Sequence, residues 1–164
     1  MQEIKLTQGK IALVDDEDYD WINQWRWCAT LQNKKYWYAM RNDYSTGKRI
    51  SVMMHRVIMK TERGFLVDHI DHDGFNNQKL NLRNCTYTQN NSNRISHGTS
   101  KYLGVSFVKV RRNGRTYTYI RAHICTNGHK IDLGEFKDEI TAAQSYNEAA
   151  VRLHGEFANL NKID

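Results

Sequence analysis

The chain of 164 residues has no proline at all. Proline therefore marks no boundary between modules, and any linker has to be found from small polar residues instead. Cysteine is scarce: Cys28, Cys85 and Cys125 are odd in number, far apart, and form no CxxC pair. That spacing excludes a cysteine-held structural zinc and a disulfide framework, leaving reduced, mostly packed thiols. No apolar run approaches the ~18 residues of a membrane span, and the N-terminus carries no signal-peptide pattern. A soluble, cytoplasmic chain without membrane association is expected. Acid is missing from one long stretch: no Asp or Glu falls between Asp73 and Asp132.

What fills that stretch is basic. Residues 74–131 hold ten Lys or Arg, namely Lys79, Arg83, Arg94, Lys101, Lys109, Arg111, Arg112, Arg115, Arg121 and Lys130, in a chain of net charge +6. A one-signed block of this kind is the footprint of a polyanion-binding surface. A membrane-binding block would be an amphipathic basic helix; this one alternates like strands. With 40% hydrophobic and 11% aromatic residues the chain should fold, as one to three small units with thin cores.

Residues 1–64 read as a β-rich segment. Ile11–Val14 is a strand candidate, and five acids in the six positions Asp15 to Asp20 suit the first turn of a short helix through Trp21, Ile22 and Trp25. A calcium loop is excluded there, since the sixth-position Gly and twelfth-position Glu are absent. Aromatic-rich strands are expected at 25–31, 36–42 and 49–53. All four tryptophans, Trp21, Trp25, Trp27 and Trp37, fall in this segment and are expected in its core.

Residues Phe65 to Arg94 carry the chemistry. An apolar run ends in Asp68-His69, a turn-rich Asp-His-Asp-Gly loop follows, then a short segment around Arg83 and an Asn-loaded stretch. Hydrolysis of a phosphodiester needs a base for water and a cation against the developing charge. Imidazole suits the first task near neutral pH, and carboxylate with amide oxygen suits Mg2+. The spacing of His69, Asn81 and Asn90 resembles the HNH nuclease motif in its variant with Asn at the third position. That resemblance implies a ββα-metal finger over 65–95 holding one Mg2+ or Mn2+ ion. It assigns His69 as general base, Asp68 and Asn90 as metal ligands, and Asn81 as the residue that closes the loop and so positions the histidine. Asp71 and His72 read as ordinary loop residues, with an approach to the phosphate as the alternative. The preceding His55-Arg56-Val57-Ile58-Met59 resembles a stretch found before the motif in phage-type endonucleases, with Arg56 set to contact phosphate or brace the site and His55 to pack.

After a linker expected at 96–100, residues 101–164 read as three antiparallel strands and a helix. Asn113-Gly114 and Asn127-Gly128 are hairpin signals, and Ala142, Ala143, Tyr146, Ala149, Ala150 and Leu153 recur at helical spacing before Gly155. With Tyr102-Leu103-Gly104-Val105, Leu133-Gly134-Glu135-Phe136 and the run His154 to Asn161, this region resembles the Apetala-type DNA-binding domain of plant ethylene-response factors and phage homing endonucleases. It implies that Lys101, Lys109, Arg111, Arg112, Arg115, Arg121 and Lys130 meet duplex DNA from the sheet. Leu103 and Ser106 replace arginines usual in the plant proteins, and Ile120 replaces a tryptophan, so the plant target sequence is not inherited. The fold class expected is α+β: a β-rich start, the metal finger, and a three-stranded sheet packed on one helix. The function expected is a metal-dependent, homing-type endonuclease that nicks or cleaves double-stranded DNA as a monomer, without a small-molecule cofactor. Its alternatives are a DNA-binding regulator with an inactive finger and an RNA-binding protein.

Overall fold

The computed structural model describes residues 1–93 and 99–163, which divide into two compact units, Met1–Thr86 and Tyr87–Asp164. The architecture is mixed α and β, built from several small sheets and few helices. Of the linker expected at 96–100, positions 96–98 lie outside the described residues, as does Arg94.

The first unit opens with a hairpin that the sequence did not announce at its first strand. Strands β1 (Gln2–Lys5) and β2 (Ile11–Val14) pair antiparallel, and alternation turns Ile4, Ala12 and Val14 inward. Helix α1 (Asp16–Asn23) follows, with Asp16, Glu17 and Asp18 in its first turn, where they suit the helix dipole. It ends two residues short of Trp25. Strands β3 (Cys28–Gln32), β4 (Tyr36–Asp43) and β5 (Ile50–Met53) form an antiparallel sheet in chain order, and helix α2 (Met54–Ile58) leaves its edge. A second hairpin, β6 (Leu66–His69) with β7 (Leu82–Cys85), pairs Asp68 with Arg83 and His69 with Leu82.

One core serves all of this. Ile4, Val14, Ile22, Trp27, Ala39, Met54, Ile58 and Leu82 are buried in a single cluster, with Val67 and Phe75 packed against it. The β6–β7 hairpin therefore shares its interior with the N-terminal strands and helix. Of the tryptophans, Trp27 is buried, while Trp21, Trp25 and Trp37 pack partly exposed around the same cluster. The thiols are not uniformly packed: Cys85 is buried, Cys28 half-buried and Cys125 exposed.

The second unit begins with helix α3 (Tyr87–Ser92). Strands β8 (Val105–Arg112), β9 (Arg115–Thr126) and β10 (His129–Phe136) make an antiparallel sheet, and helix α4 (Glu139–His154) shares its core with them. Asn113 and Gly114, like Asn127 and Gly128, both take positive φ, as two-residue hairpin turns require. The Asp138 side chain caps α4 by accepting from Thr141 N at 2.8 Å. Alanines at 142, 143, 149 and 150 are buried, which lets helix and sheet approach closely around Val105, Ala122 and Ile124. Gly104 makes the approach possible: its φ is +75°, and a Cβ there would stand 2.1 Å from the Tyr146 ring.

Candidate functional site

His69 ends strand β6, and the loop from Ile70 to Asn81 leaves directly from it. The imidazole is 6% exposed. Its ring lies 5.0 Å from that of His55, nearly edge-on, and 5.8 Å from that of Tyr38. Burial pushes the His69 pKa below the usual histidine value, against the pull of the Asn77 amide and of the Asp71, Asp68 and Asp73 carboxylates. The native ring is therefore neutral near pH 7, the state able to accept a proton. Burial likewise pushes His55 down, to about 3, helped by its neighbours His69 and Arg56. Burial, then Tyr36 and Asp68, keeps the Tyr38 phenol above its ordinary value. Tyr38 and Asn77 are neighbours of His69 that the sequence reading missed. Asn77 sat in view within the Asn-rich loop, but Tyr38 arrives from a strand thirty residues earlier and no local pattern announces it.

The loop is closed by Asn81. Its Oδ1 accepts from Asp71 N at 3.0 Å, and its Nδ2 donates to Asp71 Oδ1 and to the Asn76 carbonyl, both at 2.9 Å. The Asn81 carbonyl also accepts from Ile70 N at 2.9 Å. Burial works against ionisation of Asp71, but donors from Asp73, Asn76 and Asn81 hold its carboxyl below the usual range. The N-terminal strand clamps the same loop from outside: Leu13 N donates to Phe75 O and Asn77 N donates to Leu13 O, each at 2.8 Å. Gly74 lies so close beneath β4 that a Cβ would stand 2.1 Å from the Trp37 carbonyl oxygen.

Asp68 is buried, and its Oδ2 accepts from Arg83 Nε at 2.9 Å and Nη2 at 2.6 Å. Arg83, one of the ten basic residues of 74–131, thus serves this carboxylate. Lys79 is also committed: it pairs with Asp18 at 3.0 Å and with Glu17. The acids of the first unit lie outside residues 74–131 in sequence but return to neutralise them in space. Arg56 is engaged with the backbone that leads into β6. Its guanidinium donates to the Phe65 carbonyl at 2.7 Å, the Glu62 carbonyl at 3.2 Å and the Thr61 carbonyl at 3.5 Å.

Among the described residues, no group of three His, Cys, Asp or Glu converges as a ready-made metal cage. The expected donors are of another kind, one carboxylate and one amide. Asp68, a carboxylate held by its guanidinium partner, is a hard oxygen donor of the sort Mg2+ or Mn2+ takes. Asn90 lies half-buried on α3, in the second unit.

In the second unit the basic residues do not share one face. Register places Lys109 opposite Thr118 and Arg111 opposite Thr116, on the face that Val105 and Ala122 bury against α4. Arg112 and Arg115 pair across the hairpin turn on the other face, in line with Arg121. Arg121 is itself engaged, with Asp132 at 3.5 Å and Glu135 at 3.4 Å on β10. Lys130 stands opposite Cys125 at the far end of that face, and Lys101 covers the Tyr102 ring at 4.8 Å. Among the described residues, the cations of the outer face without an ion pair are thus Arg112, Arg115 and Lys130, with Tyr117 and Tyr119 between.

A protein of Acanthamoeba polyphaga mimivirus named as an uncharacterized HNH endonuclease is 34% identical over 141 residues, covering 82% of this chain and 71% of its own length. The chain belongs to the HNH endonuclease family. No family model and no solved structure matches it. In the first unit Asp68 and His69 end β6, and Asn81 ends the 3-10 turn that leads into β7.

Proposed function

We propose that this HNH protein is a divalent-metal-dependent endonuclease that hydrolyses one phosphodiester of double-stranded DNA per active site, of the homing type. His69 carries the reading: a buried, neutral imidazole at the end of β6, faced by carboxylates, on a loop pinned at both ends. His69 takes the proton of the attacking water, and Asn81 keeps the loop closed so that the ring stays oriented. Asp68 offers one metal ligand, and Asn90, on α3, is the second that the motif calls for. Bound there, the cation would neutralise charge developing on the phosphate and leaving oxygen. Arg83 fixes the Asp68 carboxylate in place through its two hydrogen bonds. The three-stranded sheet with α4, resembling an Apetala-type domain, would meet duplex DNA through Arg112, Arg115 and Lys130.

Conversion of supercoiled plasmid with Mg2+ or Mn2+ at low salt tests this. Wild type should give open circles, EDTA should abolish them, and His69→Ala should bind the plasmid without nicking it. If wild type binds and cuts no better than His69→Ala, the protein is a DNA-binding regulator with an inactive finger. Preference for duplex RNA over DNA of equal length would move the reading to an RNA-binding protein.

A further inference from the structure

Leu80 is 96% exposed, more than any other large hydrophobic among the described residues. It sits in the middle of the 3-10 turn Lys79–Asn81, and its neighbours on both sides are tied down. Gln78 Nε2 and Lys79 N donate to the Asp15 carboxylate at 3.1 and 2.8 Å, and Lys79 Nζ pairs with Asp18 at 3.0 Å. Asn81 is fixed by its bonds to Asp71 and Asn76. A turn held this firmly presents its side chain outward and gives it no freedom to fold onto the core.

Single exposed leucines are ordinary on soluble surfaces; what distinguishes this one is its place. Leu82, two residues on, is the cross-strand partner of His69. Two residues of extended chain cover at most about 7 Å, and the cross-strand step to His69 adds about 5 Å, so Leu80 stands within about 12 Å of it, or roughly four base-pair steps of about 3.4 Å. Ile70, directly after His69, is 45% exposed, and its N–H donates to the Asn81 carbonyl at 2.9 Å. The loop edge beside the base therefore offers two apolar side chains where a phosphate contact would want donors.

We infer that Leu80 is a wedge that enters the base stack of duplex DNA within about four steps of the phosphate addressed by His69, unstacking that step and bending the duplex. The inference rests on the nuclease reading above. A leucine offers no hydrogen bond, so its selectivity lies in which step opens most readily: pyrimidine–purine steps, TA and CA/TG, are favoured beside the cut.

The test begins by mapping the nick that wild type makes in supercoiled plasmid with Mn2+. Short duplexes are then built on that site with 2-aminopurine at each flanking step, and a second set carries one mismatch there. In the His69→Ala background, which leaves the strand whole, binding should brighten 2-aminopurine at one step near the cut, and adding Leu80→Ala should remove that signal. Leu80→Ala alone should nick the intact duplex slower by roughly tenfold or more, and the mismatched duplex near the wild-type rate, because the unstacking cost has been met in advance. Leu80→Met should keep wild-type behaviour. Because the side chain is exposed, an unchanged tryptophan emission spectrum confirms that the variants fold. If wild type nicks and Leu80→Ala matches it on intact duplex, with the fluorescence unaltered, the wedge is overturned while the nuclease stands. If wild type nicks nothing with either metal, the nuclease reading falls and the wedge with it. A change in oligomeric state of free Leu80→Ala would make Leu80 a protein contact and also overturn the wedge.

Discussion

Replacing His55 by Phe removes one ionisable ring from the wall around His69 while keeping an aromatic of similar shape. His55 is 7% exposed, and burial, with His69 and Arg56 beside it, pushes its pKa down to about 3. An unfolded histidine titrates near 6.5. Between these values the unfolded chain binds a proton that the native protein refuses, so stability falls as pH falls. The slope is about 1.4 kcal/mol per pH unit for one group. From pH 6.5 to 4.5 His55 alone should cost about 2 kcal/mol, since the full slope is reached only below 6.5, which at a urea m-value of about 1–3 kcal/mol/M moves the midpoint by roughly 1–2 M. His69 is shifted the same way, so the wild-type slope includes both rings. The difference between wild type and His55→Phe isolates His55. All four tryptophans lie in the first unit, so their fluorescence during urea titration at several pH values reads that unit. The slope against pH is decisive, whatever the variant's absolute stability. Equal slopes for wild type and His55→Phe would refute the claim that His55 is held neutral by burial.

Asn81→Ala removes the side-chain bonds to Asp71 N, Asp71 Oδ1 and Asn76 O. At about 1 kcal/mol each, less for partial exposure, the first unit should lose roughly 2 kcal/mol, seen in the same fluorescence titration. Nicking should fall by a larger factor than DNA binding, since the loop carries the base and not the sheet. Alanine at Arg112 or Arg115 should each reduce the log-log slope of binding against salt by about 0.9. Arg121→Ala should reduce it less, because Asp132 and Glu135 already neutralise that guanidinium. Fluorescence anisotropy across a salt series measures both.

Local signals were read well where they are local in origin. The two Asn-Gly turns, the end of α4 at Gly155 and its alanine face follow from backbone conformation and period, which depend on residues a few positions apart. The spacing of Asp68, His69 and Asn81 likewise marks a short hairpin and loop. The first strand escaped notice because Gln2–Lys5 has a single buried side chain, Ile4, and gains its order from pairing with β2.

The sequence by itself determined which residues could do chemistry: an imidazole next to a carboxylate, an asparagine to close a loop, and a basic tract without acids. Tertiary structure decided which of those charges remain available. Coulomb attraction and shared burial act between residues close in space whatever their separation in the chain, so Glu17 and Asp18 claim Lys79, Asp68 claims Arg83, and Asp132 and Glu135 claim Arg121. Strand alternation then divides the remaining sheet cations between two faces. The same reason places Tyr38 and His55 against His69: desolvation that keeps an imidazole neutral is supplied by whatever packs around it, and only the fold brings those rings together.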